Sequence, residues 1–288
     1  MYWIVTDSGT DLPKSYIDAQ EHFICVPITI TMDGKVIVPD GSDEAARETY
    51  NSLRAGKVIT TSQINSMGWK ETLEPILRQG DDLLCIPFSS GLSGTAQAAA
   101  LAAEELRRSY PDRKLIVVDS LAASMGHGGL VWYAVKNRAE GMELDANAQW
   151  LRDHLQQMHH WFTVDDLMFL KRGGRVSATS AVLGTMIKIK PVMDVDEHGK
   201  LIVRDKVQGR KRSLRRLMEE MQKHAVKPEE QTVFISHADC PEEAGHLAQE
   251  IRDHLHVKDV LISYIGPVIG SHTGPGCIAL FFMGDQRV

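Results

Sequence analysis

The chain opens on a short apolar run that breaks into the polar turn "TDSGTD", and the first half repeats this pattern, short apolar runs alternating with helical periodicity. Runs at Tyr2 to Thr6, Phe23 to Ile30, Leu83 to Pro87 and Leu115 to Val118 predict strands. Between them, Pro13 to Gln20, Asp43 to Leu53, Gly68 to Leu77, Thr95 to Arg108 and Ser124 to Arg138 predict helices. Ser42 suits the N-cap of the second, and Pro13 the first turn of the first. Repeated strand-helix units of this kind build α/β/α layers around a parallel sheet.

From about His159 the pattern changes. "IKIKPVMDV", the turn "DEHGK" and "LIVRDKV" predict an antiparallel pair. Helix Arg212 to His224, strand Thr232 to Ser236, helix Pro241 to His254 and strands Val260 to Tyr264 and Cys277 to Phe282 complete a mixed α/β region with a largely antiparallel sheet. Asp145 to Met158 predicts a connecting helix capped by Asp145. The expected organisation is two α/β domains, 1–158 and 159–288, and a chain of 288 residues is long enough for two units of about 150.

Composition narrows the class. Hydrophobic content of 43%, charge of 24% and a mean hydropathy of -0.19 predict an ordinary soluble globular protein. No stretch approaches the roughly 18 apolar residues that span a bilayer. The start of the sequence lacks a basic segment before its apolar run, which predicts a cytoplasmic protein. Four cysteines without a Cys-x-x-Cys pair make no disulfide scaffold, and Cys25, Cys85 and Cys277, in apolar runs, read as buried thiols. The twelve histidines, His159 and His160 among them, show no metal-ligand spacing and read as solvated or core residues.

A net charge of -6 argues against bulk attraction to nucleic acid. One segment runs the other way: between Val203 and Leu217 seven basic residues, Arg204 to Arg216, accompany a single acid. Several fall where a helix should begin, and the helix dipole disfavours cations there. A solvated face, a docking surface for an acidic partner, and contact with membrane headgroups all fit.

Three polar turns follow predicted strands: "TDSGTD", "SSGLSGT" and "DSLAASMGHGG". In an open parallel sheet such turns line one crevice, and their hydroxyls and exposed N–H groups suit an anion. "SSGLSGT" has neither the lysine nor the spacing of a nucleotide-binding P-loop. "GLSGT" is a near miss to G-x-S-x-G, with Thr95 in place of the second glycine. Ser93 therefore reads in three ways: a helix N-cap, a nucleophile, or part of a carboxylate clamp. The nucleophile reading takes His272 as base and Asp7 or Asp119 as orienter, and describes a serine hydrolase or acyltransferase. The clamp reading fixes a carboxylate with hydroxyls and a backbone N–H, which needs no lysine and avoids burying an ion pair.

Seven segments, in order, resemble the DegV family, bacterial fatty-acid-binding proteins that act as acyl carriers for a separate fatty-acid kinase. They are "IVTDSGTDLP", "TTSQINS", "FSSGLSGTAQAA", "VVDSLAASMGHGGL", "DDLMFLKRGGRVS", "IKIKPVMDVDEHGKL" and "IGPVIGSHTGPGCIAL". The resemblance implies one long-chain fatty acid in a tunnel between two domains, and no cofactor or catalytic residue of its own. It implies a head-group site formed by Thr61, Ser62, Ser93, Gly94, Thr95, His272 and Thr273. The kinase would phosphorylate the bound carboxyl to an acyl-phosphate for phospholipid synthesis, with Arg175 and Arg204 at the docking face. Ile64 and Asn65 replace the family's Pro-Ser, and Gly9 and His127 replace a hydroxyl residue and a glutamine. Ile28, Ile30, Met186, Ile187, Ile189 and Phe281 are candidates for the tunnel wall or for ordinary core. Each methylene withdrawn from water contributes about 0.8 kcal/mol, so a chain of roughly sixteen carbons could gain around 10 kcal/mol before entropy losses.

Overall fold

A computed structural model describes residues 1–176 and 189–287. Strand β1 (Tyr2–Asp7) lies inside a parallel four-stranded sheet, flanked by β2 (Phe23–Val26) and by β6 (Asp82–Ile86), with β7 (Leu115–Val117) outermost. Successive side chains leave opposite faces of a strand. Val5, Leu83 and Cys85 therefore pack with Trp69 of α3 (Ser66–Arg78) and Ala99, Ala102 and Ala103 of α4 (Thr95–Ser109). Ile4, Leu84 and Ile86 face the other way, into a cluster with Met125, Leu130 and Ala134 of α5 (Ser124–Ala139). With both faces covered, the strand sequences are nearly continuous apolar runs, as parallel sheets require.

The run Phe23 to Ile30 is two strands, not the single strand its composition predicts. Proline cannot donate to a ladder, and after Pro27 the chain leaves the first sheet. β3 (Thr29–Met32) then pairs antiparallel with β4 (Lys35–Ile37) and β5 (Ile59–Ser62), in the order β4-β3-β5. Before this small sheet comes α1 (Lys14–Asp18), with Pro13 at its N-cap rather than inside its first turn. Between β4 and β5 comes α2 (Asp43–Arg54), capped by Ser42, whose Oγ accepts the N–H of Ala45.

The second large sheet contains β8 (Met158–Thr163), β9 (Ile189–Val195), β10 (Leu201–Gln208), β11 (Thr232–His237), β12 (Asp259–Tyr264) and β13 (Ile278–Met283). Its order is β10-β9-β8-β13-β11-β12, antiparallel except for the parallel pair β11-β12. The predicted hairpin is β9-β10, with a register shift between Val203 and Asp205 on the edge strand. One face of the sheet packs against Leu217 and Met221 of α8 (Arg210–His224) and Leu247 and Ile251 of α9 (Pro241–Leu255). Phe162, Phe234, Ala279 and Phe281 of the other face join the cluster around α5. That helix is thus caught between two sheets, which is why Ser124 through Val131 are all buried.

The predicted connecting helix is shorter than expected. α6 (Leu144–His154) is capped by Glu143 without a side-chain hydrogen bond, while Asp145 sits in its first turn and pairs with Lys114. Met158 already belongs to β8. Two short helices, α7 (Leu167–Arg172) and α10 (Pro267–Thr273), were not foreseen. Of the cysteines, Cys85 and Cys277 are buried, but Cys25 is only half-buried. The basic segment resolves into paired and exposed residues. Arg204 pairs with Asp194, Arg210 with Glu243, and Arg216 with Asp205 and Glu220, whereas Lys206, Lys211, Arg212 and Arg215 are exposed. No helix of the described residues is long and apolar enough to cross a membrane.

Candidate functional site

The three polar turns do converge beyond the carboxyl ends of β1, β6 and β7. Asp7 accepts the N–H of Gly9 at 2.9 Å and of Phe88 at 2.8 Å. Asp119 accepts the N–H groups of Ser90 and Leu121. Ser89 N–H reaches the Ala122 carbonyl at 3.1 Å. His127 lies buried under the same turns, with Nε2 2.9 Å from the Ile86 carbonyl and 3.0 Å from the Thr6 hydroxyl. These side chains therefore brace the loops. The loop 89–95 is further held from above, where Ser89 Oγ donates to the carbonyl of Gly199 in the β9-β10 turn.

Next to this loop lies a cavity of about 320 Å3, within the range of about 300–1,000 Å3 typical of small-molecule sites. It is lined from both sides of the molecule. Thr61, Ser62, Gln63, Ser93, Gly94, Arg175, His272 and Thr273 contribute polar groups. The rest of the wall is mainly apolar, including Ile28, Phe162, Val195, Leu201, Ala279 and Phe281. A shallower depression on the surface shares Gln63, Ser93 and Gly94 with this cavity and adds Asn65, Ser66 and Gln97.

Most of the head-group residues expected from the sequence thus stand around one space, with one exception. Thr95 is fully buried and absent from the wall; its Oγ1 lies 2.9 Å from Ser93 Oγ. Ser93 is not the N-cap of α4. Gly94 holds that position with no side-chain cap, and Ser93 Oγ instead accepts the N–H of Thr95 at 3.3 Å. Of the predicted tunnel residues, Ile28 and Phe281 line the cavity. Ile30 is core, Ile189 is half-buried on β9 outside the wall, and Met186 and Ile187 lie outside the described residues.

His272 Nε2 lies 2.9 Å from Thr61 Oγ1. Burial, with Arg175 nearby, pushes the His272 pKa down to about 4, so the ring is neutral at pH 7. No hydrogen bond joins His272 to Ser93, or to Asp7 or Asp119, among the described residues, so the relay needed for a serine nucleophile is not assembled. Arg175 changes the expected electrostatics. The clamp was expected to lack a cation, yet this guanidinium lines the cavity and donates from Nε to the Leu92 carbonyl at 3.2 Å. Desolvation lowers its pKa, which is the state of a cation that gains most from an incoming anion. Arg204, by contrast, projects from β10 toward Asp194, away from the cavity wall.

Gln63 and Leu92 belong to the wall but were not among the expected site residues. Gln63 could have been found from its place beside Thr61 in "TTSQ". Leu92, inside the polar loop, carried no signal of its own. His160, taken as a solvated or core residue, also stands in the wall.

Residues 2–285 match the family model described as "Uncharacterised protein, DegV family". A DegV domain-containing protein of Clostridium perfringens is 43% identical over 285 residues, covering 99% of this chain and 98% of the relative. Among solved structures, a DegV family protein from Thermus thermophilus, described as fatty acid binding, superposes with a TM-score of 0.88 at 29% identity, covering 98% of this chain and 99% of the other. A DegV lipid-binding protein from Thermotoga maritima gives a TM-score of 0.87 at 26% identity and covers 100% of both chains.

Proposed function

Because the chain belongs to the DegV family, we propose that it binds one long-chain fatty acid in the cavity between the two large sheets and presents the carboxylate to a separate fatty-acid kinase. The observation that carries this reading is the division of the cavity wall. Hydroxyls, a neutral histidine and one arginine gather at Thr61, Ser93, His272 and Arg175, and most of the rest is apolar. A carboxylate needs such donors and an alkyl chain needs such a wall. The structural neighbours described as binding fatty acid or lipid have the same fold over their full length.

In this reading the two domains are 1–158 and 159–288, and the tail lies in the seam. Thr61, Ser62, Ser93, Gly94, His272 and Thr273 orient the head, with Thr95 supporting Ser93 from beneath. The surface depression beyond Gln63, Ser93 and Gly94 supports presentation, since it brings a partner's active site within reach of the carboxyl group. Phosphoryl transfer would then be the partner's chemistry, with ATP bound there, and this chain would act as a cytoplasmic carrier without a cofactor. Arg175 and Arg204 are the docking residues in this proposal. The exposed Lys206, Lys211, Arg212 and Arg215 suit transient contact with anionic headgroups, where the product would be handed on.

Native mass spectrometry of the purified protein tests the binding step, with one added fatty acid per chain expected. A protein that retains none, either from cells or after incubation with stearate, would sink the reading. The presentation step is tested by mixing the loaded protein with a fatty-acid kinase and ATP: acyl-phosphate should form with the wild type and fall sharply with Ser93→Ala.

A further inference from the structure

On β8, His159 leaves the sheet on the face opposite His160 and turns toward α8. Its ring is held between Phe282 of β13, stacked at 5.0 Å, and His224 of α8, stacked at 5.2 Å. Just past β13 the chain brings Asp285 to the same place, anchored by its N–H on the His224 carbonyl at 3.1 Å. The Asp285 Oδ1 lies 3.2 Å from His159 Nε2 and 2.9 Å from His224 Nδ1. One ligating atom of each side chain falls within 4.8 Å of the other two, and this is the one such group of His, Cys, Asp or Glu among the described residues. His224 and Asp285 are 61 residues apart and His159 and Asp285 126, so no spacing along the chain announces it.

The surroundings suit a cation at that point. Four ligands about 2.0–2.1 Å from a zinc ion stand about 3.3–3.4 Å from one another, close to the separations that Asp285 already keeps from both rings. With His224 Nδ1 turned to an ion, its Nε2 carries the proton and faces Glu220 Oε2 at 3.4 Å. Glu220 is buried and pairs with Arg216. A carboxylate behind a histidine is the arrangement that orients metal-ligating imidazoles and raises their basicity. Burial keeps the His159 ring neutral, its pKa down at about 4, and the neutral imidazole is the form that ligates. The Asp285 side chain is 56% exposed, which leaves a further position open to water.

We propose that His159, His224 and Asp285 bind one zinc ion, with water as the fourth ligand and Glu220 as the carboxylate behind His224. In the metal-free protein His159 Nε2 donates to the Asp285 carbonyl at 2.9 Å. The ion takes the place of that proton, which moves to Nδ1, an atom without a partner among the described residues. Two imidazoles and one carboxylate favour zinc over calcium or magnesium, which take oxygen ligands. None of the three residues lines the acyl cavity, so the site stands apart from the fatty-acid reading. It acts as a clip, tying β8 to α8 and to the segment after β13.

Zinc alone is the probe, titrated into the EDTA-treated full chain against a chromophoric chelator. One ion per chain should bind at micromolar concentration, and saturation should raise the unfolding midpoint by about 5 °C. His224→Ala and Asp285→Asn should each weaken binding by at least about tenfold and Glu220→Gln by about tenfold. His246→Ala, at an exposed histidine of α9, should leave zinc affinity unchanged. X-ray absorption of the zinc-loaded wild type should give two imidazole nitrogens at about 2.0–2.1 Å. This last measurement needs no variant, and so decides the matter even where a substitution unfolds the chain. Absence of one-to-one binding, or fewer than two imidazoles at the metal, would overturn the site. Affinity unchanged in both His224→Ala and Asp285→Asn would overturn it too, as the mark of an adventitious ion only. Each of these results would leave the carrier reading intact.

Discussion

Thr61 Oγ1 lies 2.9 Å from His272 Nε2, although 211 residues separate them in the chain. The contact ties β5 of the small sheet to α10, which precedes the last strand of the second large sheet. Neither group is placed by local sequence. Each is useful only because the fold brings the other to it, and together they set one edge of the polar end of the cavity.

Thr61→Val keeps the shape of this side chain and removes its hydroxyl. If the hydroxyl holds the carboxylate, fatty-acid affinity should fall by about 5–30-fold, corresponding to about 1–2 kcal/mol. Competition binding measures it. The unfolding midpoint should move little, since Thr61 is only half-buried.

Gly91→Ala tests the grip of the hairpin turn on the loop. A Cβ there would stand 2.5 Å from the His198 carbonyl oxygen and 2.6 Å from that of Gly199, both backbone atoms that cannot rotate away. Destabilisation of about 1–3 kcal/mol is expected. Ligand affinity should fall with it, because the same hairpin carries Val195 and Leu201 of the cavity wall. Urea denaturation, with and without fatty acid, separates the two effects.

Asp11 gives a pH dependence. Its carboxyl accepts from Ser124 Oγ at 2.5 Å and from the N–H of Gly266 at 2.9 Å, joining the first turn to α5 and to the segment before α10. Burial raises its pKa to about 7, against the lowering effect of those hydrogen bonds. A raised carboxyl pKa means that the folded state holds the proton more tightly than the unfolded chain. The stability it contributes is full below about pH 4 and is lost as pH rises through 7. The limiting slope for one proton is about 1.4 kcal/mol per pH unit. Asp11→Asn should remove this loss, so the variant gains on the wild type between pH 4 and 7 in denaturant midpoints. His159 and His272, each held down to about 4 by burial, act in the opposite sense, losing stability as pH falls below about 6.5. The comparison of variant with wild type cancels their share.

Ala279 is a small residue of the apolar wall, on β13. Ala279→Leu places three further carbons in the cavity. The preferred acyl chain should shorten by about two to four methylenes, each contributing about 0.8 kcal/mol when buried. Ranking saturated acids of different length by displacement checks this.

Arg287→Met removes the donors that satisfy the carbonyls of Leu121, Leu155 and Val195. Buried carbonyls left without partners should cost about 2–4 kcal/mol in total. Thermal unfolding should register this loss.

The parts of this architecture legible in the sequence are those with a strong period. The α4 alanines, the strand cores at Ile4 and Leu84, and the β9-β10 hairpin follow directly from spacing. The pattern failed where a single residue or a short element decides the outcome. Pro27 divides one apolar run between two sheets, and α7 and α10 span too few turns to show a helical period. Of "MHHWFT", Met158 was assigned to the preceding helix and the rest to no strand, because buried histidines interrupt its apolar character. The head-group residues were legible through motif resemblance, not spacing, since Thr61 and His272 come from distant segments. The apolar wall was mostly illegible because Val195 or Leu201 looks the same whether it faces a ligand or a neighbour.

Among the described residues strand β10 has pairing only on its β9 side, and its ladder slips between Val203 and Asp205. An outer strand of this kind offers unpaired amides to any other chain that drifts past. The slip kinks that border, and Arg204, Asp205 and Lys206 crowd it with charge, so a stranger's strand can neither lie flat nor shed its water there. The sheet stops growing at β10, and copies of this chain are spared from stacking edge to edge into fibres.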